Sequence, residues 1–193
     1  MTEIKKDLIY LFEDIVDVDI CDRILEFYNN NFTNDINDTS KLPWFEDNTY
    51  YWNHLQNLEI GGDVELCRDI MLDACNLSYN KECFPNTTTL VMWKPGKSMA
   101  AHRDNGYEDD KDDFFMREYT GVLYINDDYM GGETFILKEG STEEEINYKP
   151  KKASLLLFKS DDTCVHGVKQ VLSGNRLTLS MWFTLDQKYE ELS

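Results

Sequence analysis

The pattern of apolar and polar residues divides the chain into a helical first part and a strand-rich second part. Two stretches, DVDICDRILEFYNN (17–30) and GGDVELCRDIMLDACNLSYN (61–80), repeat apolar residues at the spacing of one helix face, and each has acidic residues at its start. Residues 31–56 between them are polar and aromatic without a clear period, which predicts a long surface loop. The apolar positions of the two predicted helices are Ile20, Ile24, Phe27 and Tyr28 in the first, and Val64, Cys67, Met71, Ala74 and Leu77 or Ser78 in the second.

From residue 87 onward the apolar runs are short and typical of β-strands. Turn-like sequences such as KPGK, DDYMGG and VLSGN separate them, and no helical pattern intervenes. The runs are TTTLVMW (87–93), YTGVLYIN (119–126), ETFILK (133–138), ASLLLFK (153–159) and RLTLSMWFT (176–184). This order favours a mainly β protein with N-terminal helices (α+β), in which an antiparallel barrel or jelly-roll core over 87–184 is supported by helices and loops in 1–86 within a single domain.

The net charge limits the kinds of molecule that the protein is expected to bind. The 193 residues carry a formal net charge of −18, so there is no basic surface to neutralise nucleic-acid phosphates or to bind an anionic membrane. An acidic surface can attract a basic peptide or protein, although such a charge also serves solubility.

The cysteine pattern and the apolar runs bear on the compartment. The five cysteines are odd in number and contain no C-x-x-C pair, which is typical of reduced thiols in a cytoplasmic protein. The first apolar run is too short for the core of a signal peptide, and no stretch approaches the about 18 apolar residues of a membrane span. We therefore expect a cytoplasmic protein.

A histidine and an aspartate two positions apart stand in the segment SMAAHRDNGY (98–107). Alone, such a pair is most simply a structural histidine followed by a turn aspartate. The string HRDN also occurs in protein kinases, but Asp109 stands where a kinase needs asparagine, and the Gly-rich loop and DFG triplet are missing. Residues i and i+2 of a strand point to the same face, so His102 and Asp104 can reach a common metal ion.

A third candidate ligand follows a later apolar strand. His166 lies in DDTCVHGVKQV, directly after ASLLLF. Two imidazoles and one carboxylate form the facial ligand set that leaves positions open on Fe(II) in oxygenases.

The last predicted strand alternates between two chemically distinct faces. The apolar face suits packing against helices, so the polar face must point to water or into the barrel. If it is buried, Arg176 needs an anion to offset its desolvation. On the strand YTGVLYIN, Thr120, Tyr124 and Asn126 share one face, and the hydroxyls of Thr120 and Tyr124, with Arg176, suit the carboxylate of a small diacid. The polar face of the last strand carries Arg176, Thr178, Ser180 and Trp182, and the apolar face carries Leu177, Leu179, Met181 and Phe183.

Taken together, these motifs resemble the Fe(II)- and 2-oxoglutarate-dependent dioxygenases of the prolyl 4-hydroxylase type. The resemblance rests on HRDN, TGVLYIN, DDYMGGETF and ASLLLFKSDDTCVHGVKQVLSGNRLTLSMWFT, with an arginine ten residues after the distal histidine. It covers residues 87–184 and implies a double-stranded β-helix that uses Fe(II), 2-oxoglutarate and O₂.

The resemblance also implies a role for individual residues. Iron would be held by His102, Asp104 and His166, and the distal carboxylate of 2-oxoglutarate by Arg176 and Tyr124. Thr120 and Trp182 fall at positions that line the co-substrate pocket in the family. Trp93 stands where the family usually has a tyrosine of the pocket, and we assign it with Asn126 to the substrate pocket. Ala153 stands where the family usually has glycine.

The implied reaction hydroxylates a substrate C–H and releases succinate and CO₂, with ascorbate as a candidate reductant. The leading hypothesis for the substrate is a prolyl residue of a peptide or protein, with a basic partner favoured by the charge. Two alternatives stay open. One is a hydroxylase of a free amino acid or other small molecule, with a pocket closed by the 31–56 and 105–118 loops. The other is a catalytically inactive jelly-roll binding module.

Overall fold

Two antiparallel sheets face each other in the computed structural model of the chain, which describes residues 1–33, 42–43, 49–106 and 114–191. Within these residues the large sheet contains, in spatial order, β1 (Thr2–Lys5), β2 (Ile9–Phe12), β12 (Leu155–Lys159), β8 (Tyr119–Tyr124), β15 (Arg176–Thr184), β6 (Phe84–Trp93) and β5 (Thr49–Tyr51). The small sheet contains β11 (Glu144–Tyr148), β10 (Thr134–Leu137), β13 (His166–Val168) and β7 (Met99–His102). The predicted jelly roll is confirmed.

Short ladders and helices complete the described chain. The ladders pair β14 (Val171–Ser173) with β9 (Met130–Gly131) and β3 (Phe32–Thr33) with β4 (Leu42–Pro43). The α-helices are α1 (Val18–Asn31), α2 (Trp52–Leu55) and α3 (Gly61–Tyr79), and single 3₁₀ turns lie at Asp162–Cys164 and Gln187–Tyr189. None of the helices in this part of the chain has the length and apolarity needed to cross a membrane.

Strand β12 shows why the two sheets stay together. Its residues alternate between two buried clusters, so LLLF reads as a continuous apolar run. Leu155 and Leu157 belong to the cluster that packs under the helices, and Leu156 and Phe158 belong to the cluster between the sheets. A strand that is buried on both faces anchors the sandwich from both sides.

Helices α1 and α3 confirm the two predicted helices. Asp17 caps α1, since its Oδ1 accepts a hydrogen bond of 3.0 Å from the backbone N–H of Asp19. The predicted apolar stripe of α3 is buried through Ala74, but Leu77 points to solvent and is 71% exposed. In the last turn Tyr79 continues the buried face instead, since it packs against the cluster under the helices.

The N-terminal part contains more β-structure than the sequence predicted. β1 and β2 extend the large sheet at one edge, and β5 pairs with β6 at the other. Residues 49–55 form β5 and α2, with Trp52 and Leu55 buried, so the prediction of a loop through residue 56 is wrong for this segment. Residues 34–41 and 44–48 of the predicted 31–56 loop lie outside the described residues, as do residues 107–113 of the predicted 105–118 loop. Strand β6 begins at Phe84, three residues before the first predicted strand run.

The position before β12 carries a backbone conformation that usually requires glycine. Ala153 has a φ of 59°, in the left-handed region, and its side chain is fully buried in the cluster under the helices. Burial of the methyl group offsets part of the cost of this φ, which accounts for alanine at a position where the resembling family usually has glycine.

A close approach at Gly167 gives a stability prediction. A Cβ added there would lie 2.5 Å from Cζ of Phe135 and 2.6 Å from the backbone oxygen of Met99, so the Phe135 ring and the backbone of β7 would both have to move. We expect Gly167→Ala to lower the free energy of unfolding by roughly 1–3 kcal/mol in urea titrations of metal-free protein. Gly62→Ala is the matched control, since that Cβ would meet no atom within 4 Å on α3, and it should be neutral or stabilising. Equal unfolding curves for the two variants would contradict the packing at Gly167.

Candidate metal centre and co-substrate pocket

Three side chains converge where the small sheet meets the loop after β7. His102 ends β7, His166 begins β13, and the two are paired across the ladder. Asp104 follows two residues after His102. One ligand atom from each residue lies within 4.8 Å of the others. Oδ1 of Asp104 is 3.4 Å from Nε2 of His102, and Oδ2 is 3.4 Å from Nε2 of His166.

Both imidazoles are oriented by a backbone carbonyl. Nδ1 of His102 lies 2.9 Å from the oxygen of Ala100, and Nδ1 of His166 lies 3.1 Å from the oxygen of Cys164. A carbonyl only accepts, so each Nδ1 must carry the proton and donate it. This leaves the lone pair on each Nε2, which is the atom that faces Asp104, and such outer hydrogen bonds are typical of metal-ligating histidines.

Two of the three pKa shifts in the cluster, those of Asp104 and His166, favour the protonation states that ligate a metal, and the shift of His102 opposes them. Burial alone would raise the pKa of the Asp104 carboxyl, but the interactions with His166, His102 and Thr120 outweigh it and hold this pKa well below its usual range. The hydrogen bond with Asp104 raises the pKa of His102, whereas burial lowers that of His166. An ionised carboxylate and a neutral His166 are the forms that bind divalent ions.

Thr120 is placed at the metal end of the pocket. Its hydroxyl donates to Oδ2 of Asp104 at 2.6 Å, and it pairs with Trp182 across the ladder between β8 and β15. The expectation that the Thr120 hydroxyl helps Arg176 bind a diacid carboxylate is therefore wrong, because that hydroxyl is used by Asp104.

At the other end of β15, Arg176 is almost completely buried, with 2% of its surface exposed. Its Nη2 donates to Oγ1 of Thr134 at 3.2 Å, and Thr134 shares a 2.7 Å hydrogen bond with the Tyr124 hydroxyl. Its guanidinium carbon lies 5.2 Å from the ring centroid of Tyr124 and 5.7 Å from that of Trp93. Nε of Arg176 is buried and makes no hydrogen bond within the described residues, so the guanidinium has a donor for an anion.

A cavity of about 620 Å³ joins the two ends. The polar face predicted for β15 lines it, and the apolar face packs in the cluster under the helices. The strand alternation read from the sequence is therefore confirmed. The cavity walls that bear on the assignments are Trp93, Met99, His102, Asp104, Phe114, Arg117, Thr120, Thr134, His166, Arg176, Thr178, Ser180 and Trp182.

Of the two residues assigned to the substrate pocket, Trp93 lies at the cavity and Asn126 does not. Trp93 lines the cavity and pairs with Arg176 across the ladder. Asn126 is not among the described residues of the wall. Its Nδ2 donates to Asp128 at 2.5 Å and to the backbone oxygen of Asn175 at 2.8 Å, and its Oδ1 accepts from the N–H of Leu177 at 2.8 Å. The assignment of Asn126 is wrong, because the strand ends at Tyr124 and the amide instead holds the start of β15.

Two residues of the pocket were missed by sequence reasoning. Thr134 contacts both Arg176 and Tyr124, as described above. Arg117 lies with its guanidinium carbon 4.0 Å from the ring of Phe114 and 4.2 Å from that of Trp182. The signal for Arg117 was weak: a single arginine between aromatic residues in FFMREY, next to an acidic stretch.

This arrangement defines a class of protein. The donor set of two imidazoles and one carboxylate fits a ferrous ion with open positions, and a buried arginine with a spare donor in the same cavity fits a dicarboxylate. A jelly roll that combines both features is a metal-dependent oxygenase fold with a site for a 2-oxo diacid.

Comparison with known proteins identifies the family. Residues 87–184 match the model of the 2OG-Fe(II) oxygenase superfamily, and the chain belongs to this family. Membership of this family implies Fe(II) as the cofactor and 2-oxoglutarate and O₂ as co-substrates. Relatives by sequence include prolyl 3-hydroxylase 2 of Homo sapiens, 38% identical over 79 residues, and prolyl 3-hydroxylase 1 of Gallus gallus, 31% identical over 78 residues. These matches cover 41% and 40% of this chain but only 11% of either relative.

Solved structures support the same fold. A viral collagen prolyl hydroxylase from Paramecium bursaria Chlorella virus-1, determined with 2-oxoglutarate, superposes with a TM-score of 0.69 at 14% identity and covers 93% of this chain and 97% of its own. A prolyl-4-hydroxylase of Pseudomonas putida superposes with a TM-score of 0.66 at 17% identity, covering 92% of both chains. A prolyl hydroxylase of Trichoplax adhaerens, in complex with a hypoxia inducible factor peptide, gives 0.68 at 15% identity, with 95% and 86% covered.

Proposed function

We propose that the protein hydroxylates a prolyl residue of a peptide or protein, with conversion of 2-oxoglutarate to succinate and CO₂. The main observation in favour of a hydroxylase is that a single cavity is lined by both the metal cluster of His102, Asp104 and His166 and the buried Arg176. When bound, iron(II) with 2-oxoglutarate and O₂ supplies the oxidant that removes a hydrogen atom from a C–H and returns a hydroxyl group.

The residues of the chain divide the remaining work. His102, Asp104 and His166 would hold the iron. Arg176 would anchor the far carboxylate of 2-oxoglutarate, together with the Tyr124 hydroxyl that lies beside it on Thr134.

The part of the cavity around Trp182 supports a prolyl substrate. Phe114 and Trp182 offer aromatic surface to a flat apolar ring, and Arg117 lies against both and can donate to the carbonyl that precedes a proline. The similarity to prolyl 3-hydroxylases and to structures of prolyl hydroxylases points to the same substrate class.

The net charge supports a basic peptide as substrate, and the cysteines support a cytoplasmic location. A net charge of −18 favours peptides with basic residues beside the proline, because opposite charges raise the rate of encounter. The five cysteines are all free and buried, which suits the reducing conditions of a cytoplasm.

The test uses the reconstituted full chain. It is purified without oxygen, supplied with Fe(II), 2-oxoglutarate, O₂ and ascorbate, and offered matched proline peptides with lysine or glutamate as neighbours. We expect succinate formation coupled to a peptide that gains one oxygen atom, faster for the lysine series. Amino-acid analysis of the product separates 3- from 4-hydroxyproline, a distinction on which the relatives by sequence and by structure differ.

Other outcomes point to the alternatives. Hydroxylation of free proline but not of peptides would move the assignment to a small-molecule hydroxylase. Absence of succinate with every substrate, in protein shown to bind Fe(II), would indicate a binding module.

A further inference from the structure

A pair of buried hydroxyls lies directly behind the metal-ligating aspartate. Oγ of Ser160 is 2.9 Å from Oγ1 of Thr120, which in turn is 2.6 Å from Oδ2 of Asp104. Ser160 is fully buried and Thr120 is 2% exposed, so water does not compete for either hydroxyl. Ser160 follows the end of β12, and Thr120 lies in β8, the neighbouring strand.

The direction of the hydrogen bonds follows from the number of protons. An ionised carboxylate only accepts, so Thr120 donates its single proton to Asp104. Its oxygen can then only accept from Ser160. The result is a one-way chain from Ser160 through Thr120 to Asp104, and in such chains each hydrogen bond polarises and strengthens the next.

Ser160 also holds the backbone of Asp104. Its carbonyl oxygen accepts hydrogen bonds of 3.0 Å from the N–H groups of both Asp104 and Asn105. The segment that leads from β12 to His166 is tied to the same region, since Arg103 forms a 2.7 Å ion pair with Asp162. One residue therefore restrains Asp104 at its main chain and, through Thr120, at its carboxylate.

We propose that Ser160 and Thr120 are positioning residues that fix the Asp104 carboxylate between the two imidazoles and thereby set the affinity for the divalent metal. In this role the pair acts through Asp104 and not through contact with 2-oxoglutarate or substrate. The inference depends on the metal cluster and is independent of the proposed prolyl substrate.

The experiment measures metal affinity without co-substrate. Metal-free protein is titrated with Mn(II) by calorimetry and by electron paramagnetic resonance of the free ion. Thr120→Val, which removes the hydroxyl at nearly constant volume, should weaken Mn(II) binding by roughly 10- to 100-fold. Ser160→Ala should weaken it less, by roughly 2- to 10-fold, because it acts only through Thr120.

Two further variants separate positioning from packing. Thr120→Ser keeps the donor and should restore affinity to within about threefold of the unmodified chain. The double variant Thr120→Val with Ser160→Ala should bind no more weakly than Thr120→Val alone, because the chain is already broken at Thr120. Thr178→Val is the matched control, a buried threonine of the same wall that pairs with Tyr124, and its affinity should be unchanged.

Three results would overturn the proposal. They are unchanged Mn(II) affinity in Thr120→Val, a loss in Thr120→Ser equal to that in Thr120→Val, and additive losses in the double variant. Since no peptide or 2-oxoglutarate is present, failure here leaves the test of the prolyl substrate intact, and the reverse also holds.

Discussion

Replacement of Asp104 by alanine should abolish succinate formation from 2-oxoglutarate while the fold is retained. Asp104 supplies the only carboxylate of the ligand cluster found in the described residues, and its Oδ atoms face Nε2 of both histidines at 3.4 Å. Two imidazoles alone cannot hold a divalent ion in a facial arrangement, so the metal-dependent step is lost. The measurement is O₂-dependent succinate release after reconstitution, together with the iron content of the protein.

Metal exchange provides the control for this variant. The same ligand set binds several divalent ions, so protein purified in air can carry manganese, nickel or zinc, but only Fe(II) should support turnover. Wild-type turnover in Asp104→Ala, with unfolding unchanged, would show that the metal lies elsewhere.

Sequence reasoning reached the metal ligands by two routes. The spacing of two residues paired His102 with Asp104, although Asp104 lies in the loop just after β7. His166 was added because it follows an apolar strand and because the chain resembles a family with this ligand set. The outer partners could not be placed in this way. Ser160 acts on Asp104 from 56 positions later in the chain, a pairing that depends on the register between β12 and β8.

The fold shows the same limit. β15 and α3 have long periodic patterns, and both were predicted at nearly their observed bounds. β1, β2 and β5 have three or four residues each, too few for a period to be recognised, and they become strands because the edges of the large sheet offer them hydrogen bonds. The assignment of Asn126 failed for another reason, because the alternation read in YTGVLYIN was extended two residues beyond the end of β8.

The strength of 2-oxoglutarate binding should fall most in Arg176→Met. The guanidinium is buried, its Nε has no hydrogen-bond partner within the described residues, and its Nη2 donates to Thr134. A carboxylate can meet a planar guanidinium through two parallel hydrogen bonds. Loss of this charge-assisted contact should cost about 1.5–3 kcal/mol, or roughly 10- to 150-fold in apparent affinity, measured by titration of anaerobic Fe(II) protein.

Two neighbouring changes calibrate this loss. Arg176→Lys keeps a point charge without the planar fork, so it should retain part of the affinity. Tyr124→Phe removes one neutral hydrogen bond from a hydroxyl that Thr134 also satisfies, and it should cost only about 0.5–1.5 kcal/mol. Metal binding should survive all three changes, because none of them touches a ligand. Equal 2-oxoglutarate affinity in Arg176→Met and the unmodified chain would mean that the diacid does not reach Arg176, although both the arginine and the metal cluster line one cavity.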